Sequence, residues 1–455
     1  MAHGQHFDMT PLSPLDSPLF GNAFVEPRMR EIFSFHNYLQ SCINTEVTLA
    51  KVQASLEVIP SSAAKGIADA AEKYIPDLEE LQKSTTLVGY PILPLVEQLA
   101  KQAGDSGHYL HWGATTQDVM DTATVLQMRS GIELIESQVR KTITALLSLA
   151  KRYRDTPMAG RTHLQQAIPI TFGYKAAVWL SGLDRHLERL SQLKARVLVV
   201  QFSGAAGTLA SLGTKGLTVQ HALAEALDLE VPTITWHSSR DGFTETVQTL
   251  ALICASLAKI AVDVSVMMTT EIAEVAEPFA QHRGSSSTMP QKHNPISCEL
   301  ISANSKMVRE HAGLMLDAMA VDFERATGPW HLEWRAIPES FALTSGSLSQ
   351  ANFMLTGLQV YPDKMRRNLD LSRGLICAEA VMMTLAPIIG RQTAHNLVYN
   401  ACRQAVDTGS PFADILLEMP QIRKTLTEKE IKTLTTPENY LGSAPEMVDK
   451  VVNNR

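Results

Sequence analysis

The chain has 455 residues, 45% of them hydrophobic and 19% charged, with a net charge of −7. This composition is sufficient for a large core, and a mildly acidic chain without a basic stripe argues against a nucleic-acid partner. The five cysteines are odd in number and form no C-x-x-C pair. They argue against a disulfide framework or a structural zinc site, and they indicate a reducing compartment.

Secretion and membrane insertion are both disfavoured by the sequence. Residues 1–10 are polar and lack the apolar stretch of a signal peptide. The most apolar stretch, 250–258, is far shorter than the ~20 residues that cross a bilayer. We therefore expect a cytoplasmic protein without a membrane partner.

The first predicted elements are shorter helices before about residue 110, where Pro and Gly recur. A long helix is predicted from Thr115 to Tyr153, a stretch with one Gly and no Pro. Thr115 and Asp118 have the spacing of a capping box, and apolar residues then follow at helical spacing. Four more long helices are predicted, over 169–200, 241–277, 297–321 and 338–360.

Long helices of this kind pack side by side in a bundle. Some are apolar around most of their circumference, so we expect them to bury further surface against other subunits. After about residue 361 the breakers return and shorter helices are predicted. A coiled-coil rod is the alternative, but sustained heptads are missing. The fold class is predicted to be all-α, with three helical domains at 1–112, 113–360 and 361–455 and a long bundle in the middle one.

The most distinctive segment is the loop from Ala280 to Pro295. It contains Gly284, three successive serines, Lys292 and Asn294. Such a loop can turn its backbone N–H groups inward as an anion-binding nest, to which Lys292 adds positive charge and Asn294 adds amide donors. A carboxylate is the natural guest. The alternative, a flexible Ser/Gly surface loop, does not account for the order of all these residues.

Other candidate residues precede long helices. Thr115, Thr116 and Gln117 lie at a predicted helix N-terminus, which favours a second carboxylate. Arg240 either lines the site or merely stands beside a helix that Asp241 caps, and the sequence leaves both open. Gly204, Gly207 and Gly213 fit a turn better than a nucleotide loop. No H-E-x-x-H or similar spacing occurs, so we expect no metal and no other cofactor.

The pattern S-S-x-M-P-x-K-x-N-P at residues 286–295 resembles the signature of the fumarase/aspartase superfamily. The segment 113–118, Gly-Ala-Thr-Thr-Gln-Asp, resembles the first block of that family. The segment 160–165, Gly-Arg-Thr-His-Leu-Gln, resembles its second block. The order and separation of the three blocks match, so the resemblance covers nearly the whole chain.

The resemblance implies a homotetramer with a twenty-helix core, whose active sites each collect the three blocks from three subunits. It implies a small di- or tricarboxylate substrate, from which a proton next to a carboxylate is removed to give an aci-carboxylate. Ser286 would be the base, and His163 would protonate the leaving group or orient a water. The substrate-binding residues would be Thr115, Thr116, Gln117, Thr162, Gln165, Ser287, Met289, Lys292 and Asn294, with Arg240 as a further candidate.

A finer resemblance is to the bacterial 3-carboxy-cis,cis-muconate cycloisomerase family. The segments that carry it are 27–34, 200–207, 330–334 and 365–371. It makes lactonization the preferred function. That family has Trp where this chain has His163, and histidine there is typical of fumarate-releasing lyases. The alternative is therefore a C–N lyase that releases fumarate or a related acid from a succinyl-type or amino-acid substrate.

Two further readings are less favoured. Adenylosuccinate lyases have an Arg-Tyr pair where this chain has Ala23-Phe24, and a His-His-Asp segment where it has residues 86–91. A nucleotide phosphate would have less to pair with here. A catalytically silent relative, as in lens crystallins, or a purely structural scaffold would not account for Ser286, Lys292 and Asn294 together with His163.

Overall fold

The computed structural model describes residues 12–278, 281, 283–325 and 327–454. The segment before the first signature block forms short and medium helices, as predicted. Asp77 caps one of them by accepting a hydrogen bond from the Glu80 N–H, and Gly89 ends it at φ 89°. These helices are α1 (Gly21–Phe24), α2 (Pro27–Ile32), α3 (Phe35–Ser55), α4 (Ser61–Glu72), α5 (Leu78–Val88) and α6 (Ile92–Ala103).

Long helices follow in the places where the sequence predicts them. They are α7 (Thr116–Arg152), α8 (Phe172–Val197), α10 (Asp241–Met267), α11 (Ile296–Ala318) and α12 (Pro329–Thr356), with the shorter α9 (Gly216–Leu227) between α8 and α10. Two predicted boundaries are wrong. The helix predicted over 241–277 ends at Met267, where the chain turns back through Ala273 at φ 52°. The helix predicted to start at 338 starts at Pro329, because proline fits the first position of a helix, and Pro338 lies inside it.

The described residues also contain two small antiparallel sheets that the sequence did not indicate. Strands β1 (Pro157–Thr162) and β2 (Gln165–Thr171) form a hairpin over the second signature block. Strands β3 (Val275–Ala276) and β4 (Gln359–Val360) form a short pair. The hairpin takes the first residues of the helix predicted over 169–200. The all-α fold class is otherwise confirmed.

The last part of the chain forms short helices, as predicted. Thr427 and Glu430 form a complete capping box at one of them. These helices are α13 (Pro362–Asp370), α14 (Ala378–Ile389), α15 (Arg391–Thr408), α16 (Phe412–Glu418), α17 (Pro420–Arg423), α18 (Glu428–Leu434) and α19 (Ala444–Asn453).

The chain groups into two compact units, and each draws on three separate stretches. The first unit comprises 1–139, 186–257 and 300–349, and the second comprises 140–185, 258–299 and 350–455. The first has an apolar core around Leu95 and Leu99, and the second has one around Leu385 and Phe412. The division into domains at 112 and 360 stays a prediction.

Helix α10 has the length and the apolar composition to cross a membrane. Core helices of water-soluble proteins have the same character. Here Thr244 donates a hydrogen bond to the Met315 carbonyl, and Gln248 donates one to the Ala312 carbonyl. These bonds are those of a helix packed against a neighbouring helix.

Candidate active site

The signature loop of the second unit is closed on itself by its backbone. The Asn294 N–H donates to the Gly284 carbonyl at 3.0 Å, and Ser285 pairs with His293 as an antiparallel bridge. Gly284 has a φ of 69°, and a Cβ on it would lie 2.6 Å from the Asn294 carbonyl oxygen. Glycine is therefore required where the loop begins.

The hydroxyl of Ser286 is hydrogen-bonded to the backbone of its own loop. Its Oγ accepts hydrogen bonds from the backbone N–H groups of Thr288, at 3.2 Å, and Met289, at 3.0 Å. Hydrogen bonds donated to an oxygen favour its charged form. Ser286, the residue predicted to be the base, thus holds two backbone N–H groups of its own loop, and the anion nest for a carboxylate stays a prediction.

Both flanks of the loop are anchored. Before it, the Glu277 carboxylate accepts the N–H groups of Ser297 and Cys298, at 3.1 and 3.0 Å, and so caps the start of α11. Arg283 donates to Ser297 Oγ at 2.6 Å and to Gln350 Oε1 at 2.8 Å. The predicted substrate contacts Ser287, Met289 and Lys292 are exposed between these anchors, and Asn294 is half-buried.

The second signature block forms the tip of the β1–β2 hairpin, also in the second unit. Thr162 pairs with Gln165, and His163 and Leu164 between them have φ values of 51° and 62°. Two positive φ values define a type I′ turn, which normally selects Asn and Gly. Bulky residues there store strain, which is common at functional sites.

The hairpin tip is open to solvent. Leu164 is 80% exposed, and Thr162, His163 and Gln165 are exposed as well. Among the described residues, no hydrogen bond joins His163 to Ser286. His163 is exposed at the hairpin tip, and Ser286 is half-buried next to the Ser285–His293 bridge.

The first signature block lies in the first unit, at the start of α7. The Thr115 N–H donates to Asp118 Oδ2 at 3.0 Å, which is one half of the predicted capping box. The same buried carboxylate accepts the N–H groups of Ser203, at 3.0 Å, and Gly204, at 2.9 Å, and it contacts His237 Nε2 at 2.7 Å. Asp118 thus fixes the glycine turn beside the helix N-terminus.

Arg240 and Gln117 meet in a buried polar cluster beneath this block. The Arg240 guanidinium pairs with Asp121 at 2.7 and 2.9 Å and with Glu333 at 2.8 and 2.6 Å. Gln117 donates to Asp121 at 3.1 Å and to the His237 carbonyl at 2.9 Å. Burial raises the pKa of Glu333 against the pull of Arg240. The guanidinium is therefore committed to two carboxylates, and a substrate contact of Arg240 stays a prediction.

Sequence reasoning missed Arg325, which lies beside Thr115. Its Nη1 donates to Thr115 Oγ1 at 3.0 Å, and its Nη2 donates to the Ala205 carbonyl. A planar guanidinium at a helix N-terminus suits a carboxylate. No motif marks this arginine, because it lies in the irregular segment between α11 and α12.

His111 is a second residue that sequence reasoning missed. Its Nδ1 lies 2.6 Å from Oε1 of the buried Glu46, and its backbone has a positive φ of 59°. Burial alone would lower the pKa of His111, but the charge and the hydrogen bond of Glu46 outweigh burial and raise it. The position of His111, four residues before Thr115, is a signal that could have identified it.

Among the described residues, no three His, Cys, Asp or Glu side chains are grouped so as to hold a metal ion.

Comparisons with known proteins match this chain to lyase families and to enzymes that are similar over nearly its whole length. A family model described as "Lyase" matches residues 24–309, and one described as "Adenylosuccinate lyase C-terminus" matches residues 374–451. A crystal structure described as fumarate lyase from Mesorhizobium sp. BNC1 is 58% identical, with a TM-score of 0.91, over 96% of this chain and 100% of that one. Trans-aconitate decarboxylase 1 of Mycosarcoma maydis is 46% identical over 96% of this chain and 88% of its own length. The 3-carboxy-cis,cis-muconate cycloisomerase of Acinetobacter baylyi is 41% identical over 96% of this chain and 98% of its own length.

Proposed function

This chain belongs to the fumarase/aspartase superfamily, as a lyase or cycloisomerase, and from that premise we propose that it eliminates a leaving group from a small polycarboxylate. One observation carries the proposal: the amides of Thr288 and Met289 converge on the Ser286 hydroxyl. A proton next to a carboxylate is only weakly acidic, so the base needs its charged form stabilised.

In the proposed reaction the Ser286 alkoxide removes the proton from the carbon next to a carboxylate. The electron pair moves into that carboxylate and gives an aci-carboxylate with two negative charges. Lys292, Asn294 and the loop amides stabilise this dianion. The electron pair then forms the double bond as the leaving group departs from the neighbouring carbon, and His163 gives that group its proton.

Elimination is favoured over lactonization by the hairpin tip. The turn presents His163 to solvent, and a histidine side chain can serve as a general acid for a leaving group. A carboxylate leaving group, as in lactone opening, is stable as an anion and needs no proton. The 58% identical protein described as a fumarate lyase also supports elimination.

Lactonization of a 3-carboxymuconate-like substrate is the second candidate. It is supported by the 41% identical cycloisomerase and by the matching segments such as 330–334. Lactonization runs this chemistry in the reverse direction: a carboxylate oxygen of the substrate adds to the double bond, and the Ser286 hydroxyl then protonates the carbon of the resulting dianion. The two reactions share Ser286 and the dianion, and they differ in whether His163 must supply a proton to a leaving group.

The proposal includes a second carboxylate subsite built on the first signature block. Arg325 and Thr115 present a guanidinium and a hydroxyl at the N-terminus of α7, which favours negative charge. With Lys292 and Asn294 for one carboxylate, this second group supports a substrate with at least two carboxylates.

The proposal also includes a homotetramer in which each site combines three subunits. Several long helices expose large apolar side chains that a second copy of the chain would cover. Examples are Val178, Leu252, Val262 and Leu316. The open hairpin tip and the open loop leave room for residues of other subunits.

A substrate panel tests the function. Wild-type protein is mixed with an N-succinyl amino acid, with 3-carboxymuconate and with trans-aconitate, and products are followed by ultraviolet absorbance and by NMR. Turnover of the N-succinyl compound to fumarate supports elimination. Turnover of 3-carboxymuconate alone moves the function to lactonization, and release of carbon dioxide from trans-aconitate contradicts both.

Variants of the signature loop control this panel. Ser286→Ala should reduce any turnover by at least ~10²-fold, because it removes the base. Gln291→Ala changes an exposed residue of the same loop and should stay close to wild type. Equal activity of the two variants would exclude Ser286 as the base.

A further inference from the structure

The hairpin that carries His163 cannot hold itself in place. A two-stranded hairpin is marginally stable on its own in water. Its tip is strained, since His163 and Leu164 both have positive φ. Some contact outside the two strands must therefore fix the position of the tip.

A buried ion pair supplies that contact for the first strand. Arg161 on β1 donates to both carboxylate oxygens of Glu274, at 3.0 and 2.7 Å. The Glu274 side chain is fully buried, and that of Arg161 is 18% exposed. Glu274 Oε1 also accepts the Asn368 amide at 2.9 Å. A bidentate pair fixes direction as well as distance.

The second strand is tied to the same place. Gln166 on β2 donates to the Asn368 carbonyl at 2.7 Å, and the Asn368 amide also donates to the Ile272 carbonyl at 2.8 Å. Ala159 of β1 packs in a small apolar cluster with Leu369 and the residues that follow α13. Both strands therefore rest on the C-terminal end of α13.

We propose that Arg161, Glu274 and Asn368 are positioning residues for His163. They act through the hairpin and do not touch the reacting atoms. The inference rests on the proposed function, because it takes His163 to be the proton donor. Weakening the ion pair should let the tip move, and a displacement of about 1 Å at a catalytic group can cost ~10²-fold in rate.

The test replaces Arg161 by Lys, which keeps the charge and loses the two-pronged contact. Glu245→Gln is the matched control. It breaks another two-pronged arginine–carboxylate pair, between Arg196 and Glu245, which lies in the first unit. Both variants are compared with wild type by amide hydrogen exchange over residues 157–171 and by steady-state kinetics.

We expect R161K to increase hydrogen exchange in the hairpin and to lower kcat by about tenfold to a hundredfold, with KM changed by less than about threefold. E245Q should leave both unchanged. Unchanged exchange in R161K, or a lower kcat without increased exchange, would overturn the inference. If R161K does not fold, Gln166→Ala removes only the bond to Asn368 and should show the same two effects in smaller measure.

The two proposals can fail separately. If wild-type protein turns over no carboxylate substrate, the proposed function is wrong. The exchange measurement still decides whether Arg161 and Glu274 hold the hairpin.

Discussion

Replacing Arg240 by Met should destabilise the protein through the carboxylates that it leaves behind. The change keeps most of the side-chain volume and removes the only cation described in contact with Asp121 and Glu333. Loss of one partner from a buried ion pair costs about 3 to 5 kcal/mol, because a charge stays buried without compensation. We expect a loss of this size near pH 7.

The loss should depend on pH. Glu333 can lose its charge by taking up a proton. For a carboxyl group with the ordinary pKa of 4.5, protonation at pH 7 costs about 3 kcal/mol. Its pKa is already raised by burial in the wild type and should rise further in R240M. A carboxyl with a raised folded-state pKa contributes stability below 4.5 and loses it as pH rises through the folded value. The destabilisation should therefore shrink by about 1.4 kcal/mol per pH unit on acidification.

Urea unfolding of wild type and R240M at one protein concentration, near pH 7 and near pH 5.5, measures both effects. Arg325→Met is the control, because Arg325 is half-buried and contacts a hydroxyl and carbonyl oxygens. The R325M variant should turn over little substrate, and its free energy of unfolding should fall by less than about 1 kcal/mol. If R240M instead loses turnover with a stability loss below about 1 kcal/mol, Arg240 binds substrate and the reasoning is refuted.

Three further predictions concern the other parts of the site. His163→Trp should collapse elimination by ~10²-fold or more, whereas lactonization should fall by less than about tenfold; kinetics on both substrate classes decide. S286A and H163W subunits refolded together in equal amounts should regain about a quarter of the wild-type elimination activity, because a quarter of the shared sites then take both wild-type residues from different subunits. No recovery of activity would contradict shared sites. Glu46→Gln should lower the unfolding temperature most below about pH 6.5, and this effect should fade as pH rises through the raised pKa of folded His111. An effect independent of pH would exclude the Glu46–His111 charge pair.

Much of the fold could be predicted because its signals are local. The long helices follow from apolar spacing without breakers, and the start of α7 follows from Thr115 and Asp118. The signature loop was located because its order of serines, Lys292 and Asn294 is unusual. The anion nest that this composition predicts stays a prediction, because the N–H groups of Thr288 and Met289 donate to the Ser286 hydroxyl.

The remainder depends on contacts that are distant in sequence. The sequence does not indicate the β1–β2 hairpin, because His163 and Leu164 are not typical turn residues. The hydrogen bonds that hold the hairpin come from Glu274 and Asn368, which are distant in sequence. The end of α10 at Met267 has no Pro or Gly to mark it. Arg325 could not be singled out because its partner Thr115 is 210 residues away.

The turn at the hairpin tip has a consequence for engineering. Asn and Gly adopt a type I′ turn without the strain that His163 and Leu164 carry, which is about 1 to 3 kcal/mol for each residue. Leu164 is 80% exposed, so its replacement sacrifices little packing within the subunit. Selection for thermostability alone would therefore tend to convert this dipeptide to Asn-Gly and yield a more stable protein without the proposed proton donor. Laboratory evolution toward new substrates can use the same turn. Because Glu274 and Asn368 hold the two strands, side chains at the tip can be exchanged without a change in strand register.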